Sequence, residues 1–154
     1  MRFVAISDTH DNLDAVRMLV DELRKEKFEF VVHAGDVIAP FTLKALAELN
    51  SKLYIAFGNN DGERKLLTQI CAEKEWEIGD IIEFPYGVVY HGTDPRITKI
   101  LTKLNGFIVV GHTHEPKIEK GECILLNPGE VCGYLTGKKT YAIVEDGTVN
   151  ILEL

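Results

Sequence analysis

Short apolar runs of strand length alternate along this chain with stretches whose apolar residues recur at helical spacing. Arg2 to Ile6 reads as a buried strand that gives way to a polar loop from Ser7 to Asp11. From Asn12 to Lys27, Leu13, Val16, Val20 and Leu23 share one helical face, with Asp11 or Asn12 as N-cap and Lys25 and Lys27 near the C-terminus. Phe30 to His33 is a second strand, Pro40 to Asn50 a helix opened by proline, and Leu53 to Phe57 a third strand. Two consecutive strand-helix-strand units restrict the chain to an α/β class, because parallel neighbours need a crossover connection that a helix supplies.

After the loop Gly58 to Gly62, Leu66, Leu67, Ile70 and Cys71 mark a third helix face up to about Lys74. The period then changes. Asp80 to Phe84 and Val88 to Tyr90, joined at Pro85 to Gly87, predict an antiparallel hairpin. Asp94 caps a helix that opens at Pro95 and carries Ile97, Ile100, Leu101 and Leu104. Phe107 to Val110 is a further buried strand, and Pro116 to Glu119, Cys123 to Leu126, Thr140 to Val144 and Val149 to Leu152 are short strands. The expectation is an α/β first half and a largely antiparallel second half, packed as two sheets with helices outside.

The chain has 154 residues, a length that builds one domain, expected here over 1–154. It is 45% hydrophobic and 27% charged, enough apolar surface for a core. No apolar run approaches the roughly 18 residues of a membrane span, and the stretch before Asp8 is too short for a signal-peptide core. Three cysteines, none in a CxxC pair, indicate neither a disulfide framework nor a zinc knuckle, so the cytoplasm is the expected location. Twenty-four acids against seventeen bases give a net charge of −7, which repels phosphate backbones and argues against nucleic-acid binding by counterion release.

The five histidines are His10, His33, His91, His112 and His114; four of them, with Asp8, Asp36 and Asn59, lie where a strand hands over to a loop. Ligands of open α/β sheets bind in the crevice at such strand ends. A lone loop Asp commonly caps a helix or fixes a turn. Independent structural needs would not place Asp, His, Asn and His at five successive strand ends. Gly35, Gly58, Gly92 and Gly111 let backbone approach an ion or phosphate closely. Asp8 and His10 can face one ion, and His112 and His114 either the same ion or a neighbour. Imidazole, carboxylate and amide oxygen without thiolate suit Mn, Fe, Ni, Co or Zn better than Ca or Mg. Seven donors exceed one tetrahedral site, and sharing them between two ions calls for a bridging carboxylate, for which Asp36 is the best candidate. His33, inside an apolar strand, is read as a buried histidine bonded to a neighbour.

Competing chemistries lack their residues. Ser7 and Ser51 are the only serines and neither sits in GxSxG; no Walker or dinucleotide fingerprint occurs. Cys71 and Cys123 fall at core positions, and Cys132, in the loop Asn127 to Gly133, is undecided.

Asp8-Thr-His10, Gly35-Asp36, Gly58-Asn59, His91-Gly92 and Gly111-His-Thr-His114 together resemble the five motifs of the calcineurin-like metallophosphoesterases, from residue 3 to about 130. The small size, Gly-Asn-Asn-Asp and Asn127-Pro-Gly are similar to the compact prokaryotic phosphodiesterase branch. The resemblance implies a four-layer α/β/β/α sandwich of two mixed sheets flanked by helices. It implies two divalent transition-metal ions, Mn or Ni favoured, with Asp8, His10, Asp36 and His114 around one and Asp36, Asn59, His91 and His112 around the other. A hydroxide between them would attack phosphorus, with Asp36, Asn60 and His112 as catalytic candidates. Many members of the family carry His immediately after the Asn of the third motif; here Asn60 stands there, able to bind substrate but not to release a proton at neutral pH. Asp61 is read as a cap for the following helix.

The expected function is therefore hydrolysis of a small phosphoester, a diester by preference, with no stable nucleic-acid or membrane partner and with a homo-oligomer left open. A metal-dependent phosphomonoesterase or protein phosphatase is the alternative. In another class stands a non-catalytic scaffold of the same fold, as in a retromer subunit, which would be expected to have lost donors that are all present here.

Overall fold

Alternation of side chains along five strands decides which faces of the sheets are buried and against what. The structure, a computed structural model, describes residues 1–154. Its strands are β1 (Arg2–Ile6), β2 (Phe30–His33), β3 (Lys52–Ala56), β4 (Glu77–Gly79), β5 (Ile81–Phe84), β6 (Gly87–Tyr90), β7 (Gly106–Val109), β8 (Lys117–Lys120), β9 (Cys123–Asn127), β10 (Thr140–Glu145) and β11 (Thr148–Glu153). The helices are α1 (Leu13–Leu23), α2 (Pro40–Leu46), α3 (Arg64–Glu73) and α4 (Pro95–Leu101). One sheet runs β11-β10-β1-β2-β3-β4 and the other β5-β6-β7-β9-β8, each mixing parallel and antiparallel pairs.

Val4, Ile6, Val31, Leu53 and Ile55 point outward from the first sheet, where they meet Ala15, Val16, Leu19 and Leu23 of α1, Leu43 and Leu46 of α2, and Leu67 and Cys71 of α3. Their neighbours Phe3, Ala5, Phe30 and Val32 point the other way, against Phe84, Val89, Phe107, Val109 and Leu126 of the second sheet. Val88, Tyr90 and Ile108 turn to the far side, where Leu101 of α4 covers them. The result is helices, sheet, sheet and helix in four layers, as the motifs implied. Strands buried on both faces need apolar residues at every position, which is why their runs are continuous.

Two details differ from the sequence expectation. The second half is mostly antiparallel, as expected, but it contains two parallel pairs: α4 is a crossover that makes β6 and β7 parallel, and β7 also pairs in parallel with β9. Strand β4 was not expected. Its Glu77-Ile78-Gly79 is added at the sheet edge by parallel pairing with Tyr54 to Ala56, with Ile78 half-buried against the outer core. Helix α1 stops at Leu23, with Arg24 as C-cap, because the charged stretch beyond it offers no apolar residue to bury until Phe28. At its other end Asn12 caps it, the side chain accepting from Ala15 N at 3.3 Å.

Candidate metal centre

Backbone hydrogen bonds tie the loop after β1 to the loop after β2, and the loop after β6 to the loop after β7. Asp8 N donates to Gly35 O at 3.0 Å, His10 N to Asp36 O at 3.0 Å, and Gly111 N to His91 O at 2.9 Å. His112 N, donating to Asp8 Oδ2 at 3.1 Å, joins the two pairs, so loops from both sheets close on one place. Gly58 lies so near Asp36 that a Cβ would overlap its carboxylate and its amide nitrogen, so only glycine lets the third loop rest on the second.

Asp61 fastens the same contact from below. Its Oδ2 accepts from Gly58 N at 2.7 Å and Asp36 N at 3.1 Å, and its Oδ1 from Ile38 N at 2.7 Å. It does not cap the next helix: α3 begins at Arg64, with Glu63 as its N-cap. Three amides in loops that cannot pair with a sheet are better satisfied by this one carboxylate than by a cap role. His33 is fully buried, and burial pushes it down to about 4, so it is neutral. Its Nδ1 accepts from Gly35 N at 3.0 Å and its Nε2 faces Thr9 Oγ1 at 3.0 Å, which makes it a brace between two loops.

The structure brings the seven expected donors together. Asp8, His10, Asp36 and His114 place donor atoms within 4.8 Å of one another. His114 Nε2 is 3.2 Å and His10 Nε2 3.5 Å from Asp8 Oδ1, and His10 Nε2 is 3.2 Å from Asp36 Oδ2. On the other side of Asp36, His91 Nε2 lies 3.4 Å from the same Oδ2. Asn59 Oδ1 is 2.9 Å from His91 Nε2 and 3.1 Å from His112 Nδ1. Asn60 is exposed; its backbone N and Nδ2 donate to the two Asp36 oxygens at 2.9 and 2.8 Å. Tyr134, 60% exposed, sits at the rim with its ring centroid 6.3 Å from that of His10.

These donors fit divalent cations. Asp8 Oδ2 is occupied by Ser7 Oγ at 2.6 Å and His112 N at 3.1 Å, yet Asp8 Oδ1 and His10 Nε2 are buried without a hydrogen-bond partner. Buried polar atoms are rarely left so, and their lone pairs converge with those of Asp36 and His114. The fields agree. Asp36 and then Asp8 push His10 up to about 9. Burial alone would raise the Asp36 carboxyl, but His10, His91 and Asn60 outweigh it and hold the group well below the usual carboxylate range. Burial would lower His91, and Asp36 reverses this, so it is raised.

Sequence reasoning missed one residue of this centre, Glu130. It is fully buried and accepts at 2.5 Å from His114 Nδ1. Its signal was a lone acid between Gly129 and Val131-Cys132, in a loop noticed for Asn127-Pro-Gly and for its cysteine. That cysteine is buried, 3.2 Å from Glu130 Oε2, and burial pushes its thiol up to about 12. Cys71 and Cys123 are buried and free.

Comparison with known proteins agrees with this geometry. The model of the calcineurin-like phosphoesterase superfamily domain matches residues 1–148. Phosphodiesterase MJ0936 of Methanocaldococcus jannaschii is 34% identical over 164 aligned positions, covering 94% of this chain and 93% of that one. A solved archaeal phosphodiesterase superposes with a TM-score of 0.94 at 33% identity over the whole of both chains. Vps29 of Entamoeba histolytica superposes with a TM-score of 0.73 at 17% identity over 100% of this chain and 98% of that one, a likeness of fold alone. With its residues 1–148 matched and its strand-end donors gathered in one crevice, the chain belongs to the calcineurin-like phosphoesterase superfamily.

Proposed function

We propose that this protein is a dinuclear metal-dependent phosphodiesterase acting on a small phosphoester. The observation that carries the reading is Asp36 Oδ2, which faces His10 Nε2 at 3.2 Å on one side and His91 Nε2 at 3.4 Å on the other. A carboxylate between two donor sets is what a shared site for two ions requires. Asp8, His10, Asp36 and His114 would hold one ion, and Asp36, Asn59, His91 and His112 the other. When bound, such ions supply positive charge to phosphoryl oxygens and lower the pKa of water towards about 7.

The chain's own groups do the rest. His112 and Asn60 stand at the open side of the centre, half-buried and exposed, where they can donate to a phosphoryl oxygen. Mn or Ni suits the donors best, with Fe, Co and Zn next, since the one nearby thiol stays protonated and turned towards Glu130. We place the protein in the cytoplasm, without a stable nucleic-acid or membrane partner; no helix is long and apolar enough to cross a membrane. A homo-oligomer is compatible with all of this.

The test is chelation and dialysis, then a panel of aryl phosphodiesters and phosphomonoesters with each metal. Hydrolysis should vanish without metal, return with Mn or Ni, and favour diesters. Full activity in metal-free protein would overturn the two-metal reading. A preference for monoesters would replace the diesterase by a phosphatase, and metal binding with no hydrolysis by a scaffold.

A further inference from the structure

Glu130 is a carboxylate with no exposure at all, and a buried charge is destabilising unless it is fully paired. Here every acceptor position is taken. Oε1 accepts from Leu135 N at 2.9 Å, Thr136 N at 2.6 Å and Thr136 Oγ1 at 2.8 Å; Oε2 accepts from Cys132 Sγ at 3.2 Å and His114 Nδ1 at 2.5 Å. It is therefore an anion that only accepts.

We infer that Glu130 is the positioning residue of the centre: by accepting a hydrogen bond from Nδ1–H of His114 it fixes the ring so that Nε2 is the nitrogen aimed at Asp8 Oδ1, 3.2 Å away. An imidazole has two nitrogens, and the partner of one decides which carries the proton. Nothing else in the structure touches Nδ1 to set it. The same carboxylate anchors residues 135 and 136, and so holds beside His10 the turn that carries Tyr134. The consequence for metal rests on the reading of His114 as a donor; the consequence for the proton does not.

The experiment is Glu130→Gln, with two readouts on folded protein. In the variant the amide oxygen is claimed by Leu135 N and Thr136 N, so the NH2 faces the ring and donates to Nδ1. Long-range nitrogen-proton NMR of the imidazoles in metal-free protein should show a proton on Nδ1 of His114 in the wild type and its loss in the variant. Competition with a chromophoric chelator for Mn or Zn should show one site weakened by about 10- to 100-fold. Thr136→Val, which loosens the turn and leaves Oε2 alone, should keep the Nδ1 proton and the affinity within about twofold.

An Nδ1 without a proton in the wild type overturns the inference, and this needs no variant to fold. So does an unchanged Nδ1 proton in Glu130→Gln, or an affinity lost equally in Thr136→Val. If the proton moves as expected while the wild type binds no metal, the positioning of His114 stands and the metal reading falls.

Discussion

Asn60 uses its side-chain amide on Asp36 Oδ2 and offers no proton that can leave at neutral pH. Asp61 next to it cannot substitute, since both its oxygens accept from backbone amides. Departure of the alcohol then depends on the leaving anion's own stability, so the rate should fall steeply as that anion becomes more basic. Asn60→His places a group of unperturbed pKa about 6.5 at this position. The gain in kcat/KM should be largest for poor leaving groups, flattening the dependence across a graded aryl-to-alkyl series at equal metal content; parallel slopes would show that Asn60 only positions. The seven donors were legible because their types and their places after strands are written in the chain. The backbone they ride on was not. Asp8, His10, Asp36, His112 and His114 all have positive φ, from 43° to 69°, a region that costs a non-glycine residue roughly 1 to 2 kcal/mol. Only cross-loop bonds such as Asp8 N to Gly35 O hold them there, and those pair residues far apart in sequence.

At the scale of strands and helices, the inner face of β1 is fixed by aromatic packing. Phe3 is fully buried, with its ring centroid 5.4 Å from Phe30, 5.4 Å from Phe84 and 5.3 Å from Phe107, so it joins the two sheets. Phe3→Ala should destabilise the metal-free protein by about 3 to 5 kcal/mol, read from urea unfolding. Metal affinity of the folded fraction should hold, because Asp8 lies about 16 Å further along the chain. A loss below about 1 kcal/mol would mean that the sheets are joined elsewhere. Strands with continuous apolar runs were placed within a residue or so by sequence, since burial on both faces writes itself into every position. Pairing partners were legible only in part: the parallel run β1-β2-β3 and the hairpin β5-β6 were read, and the neighbours of β4 and β7 were not. Whether β7 runs parallel or antiparallel to β6 depends on where α4 deposits the chain, and β4 depends on the edge that β3 offers and on the core that Ile78 meets.

Over the whole molecule the net charge is −7, and three of its acids, Asp8, Asp36 and Glu130, are gathered in the interior of the centre. Cations that bind only the folded chain stabilise it by mass action, about 2.7 kcal/mol at a hundredfold excess over Kd. For a chain of this size that is about 5 to 11 °C in Tm, to be measured by thermal scans across a Mn titration, with an unchanged Tm counting against a folded metal site. The loops that build the centre come from both sheets, and the bond from His112 N to Asp8 Oδ2 joins residues 104 apart in the chain. Closing so long a loop has an entropic cost that nearby contacts cannot offset in advance. During synthesis, Asp8, His10 and Asp36 emerge long before His114, the fourth donor of their set, and before the second-sheet loop whose His112 N binds Asp8 Oδ2. A growing chain therefore has little hold on metal, and loading waits until the second sheet has docked. Metal capture is then a late event in the life of each new molecule, and what it captures reflects the ions around the finished protein and not those around the ribosome.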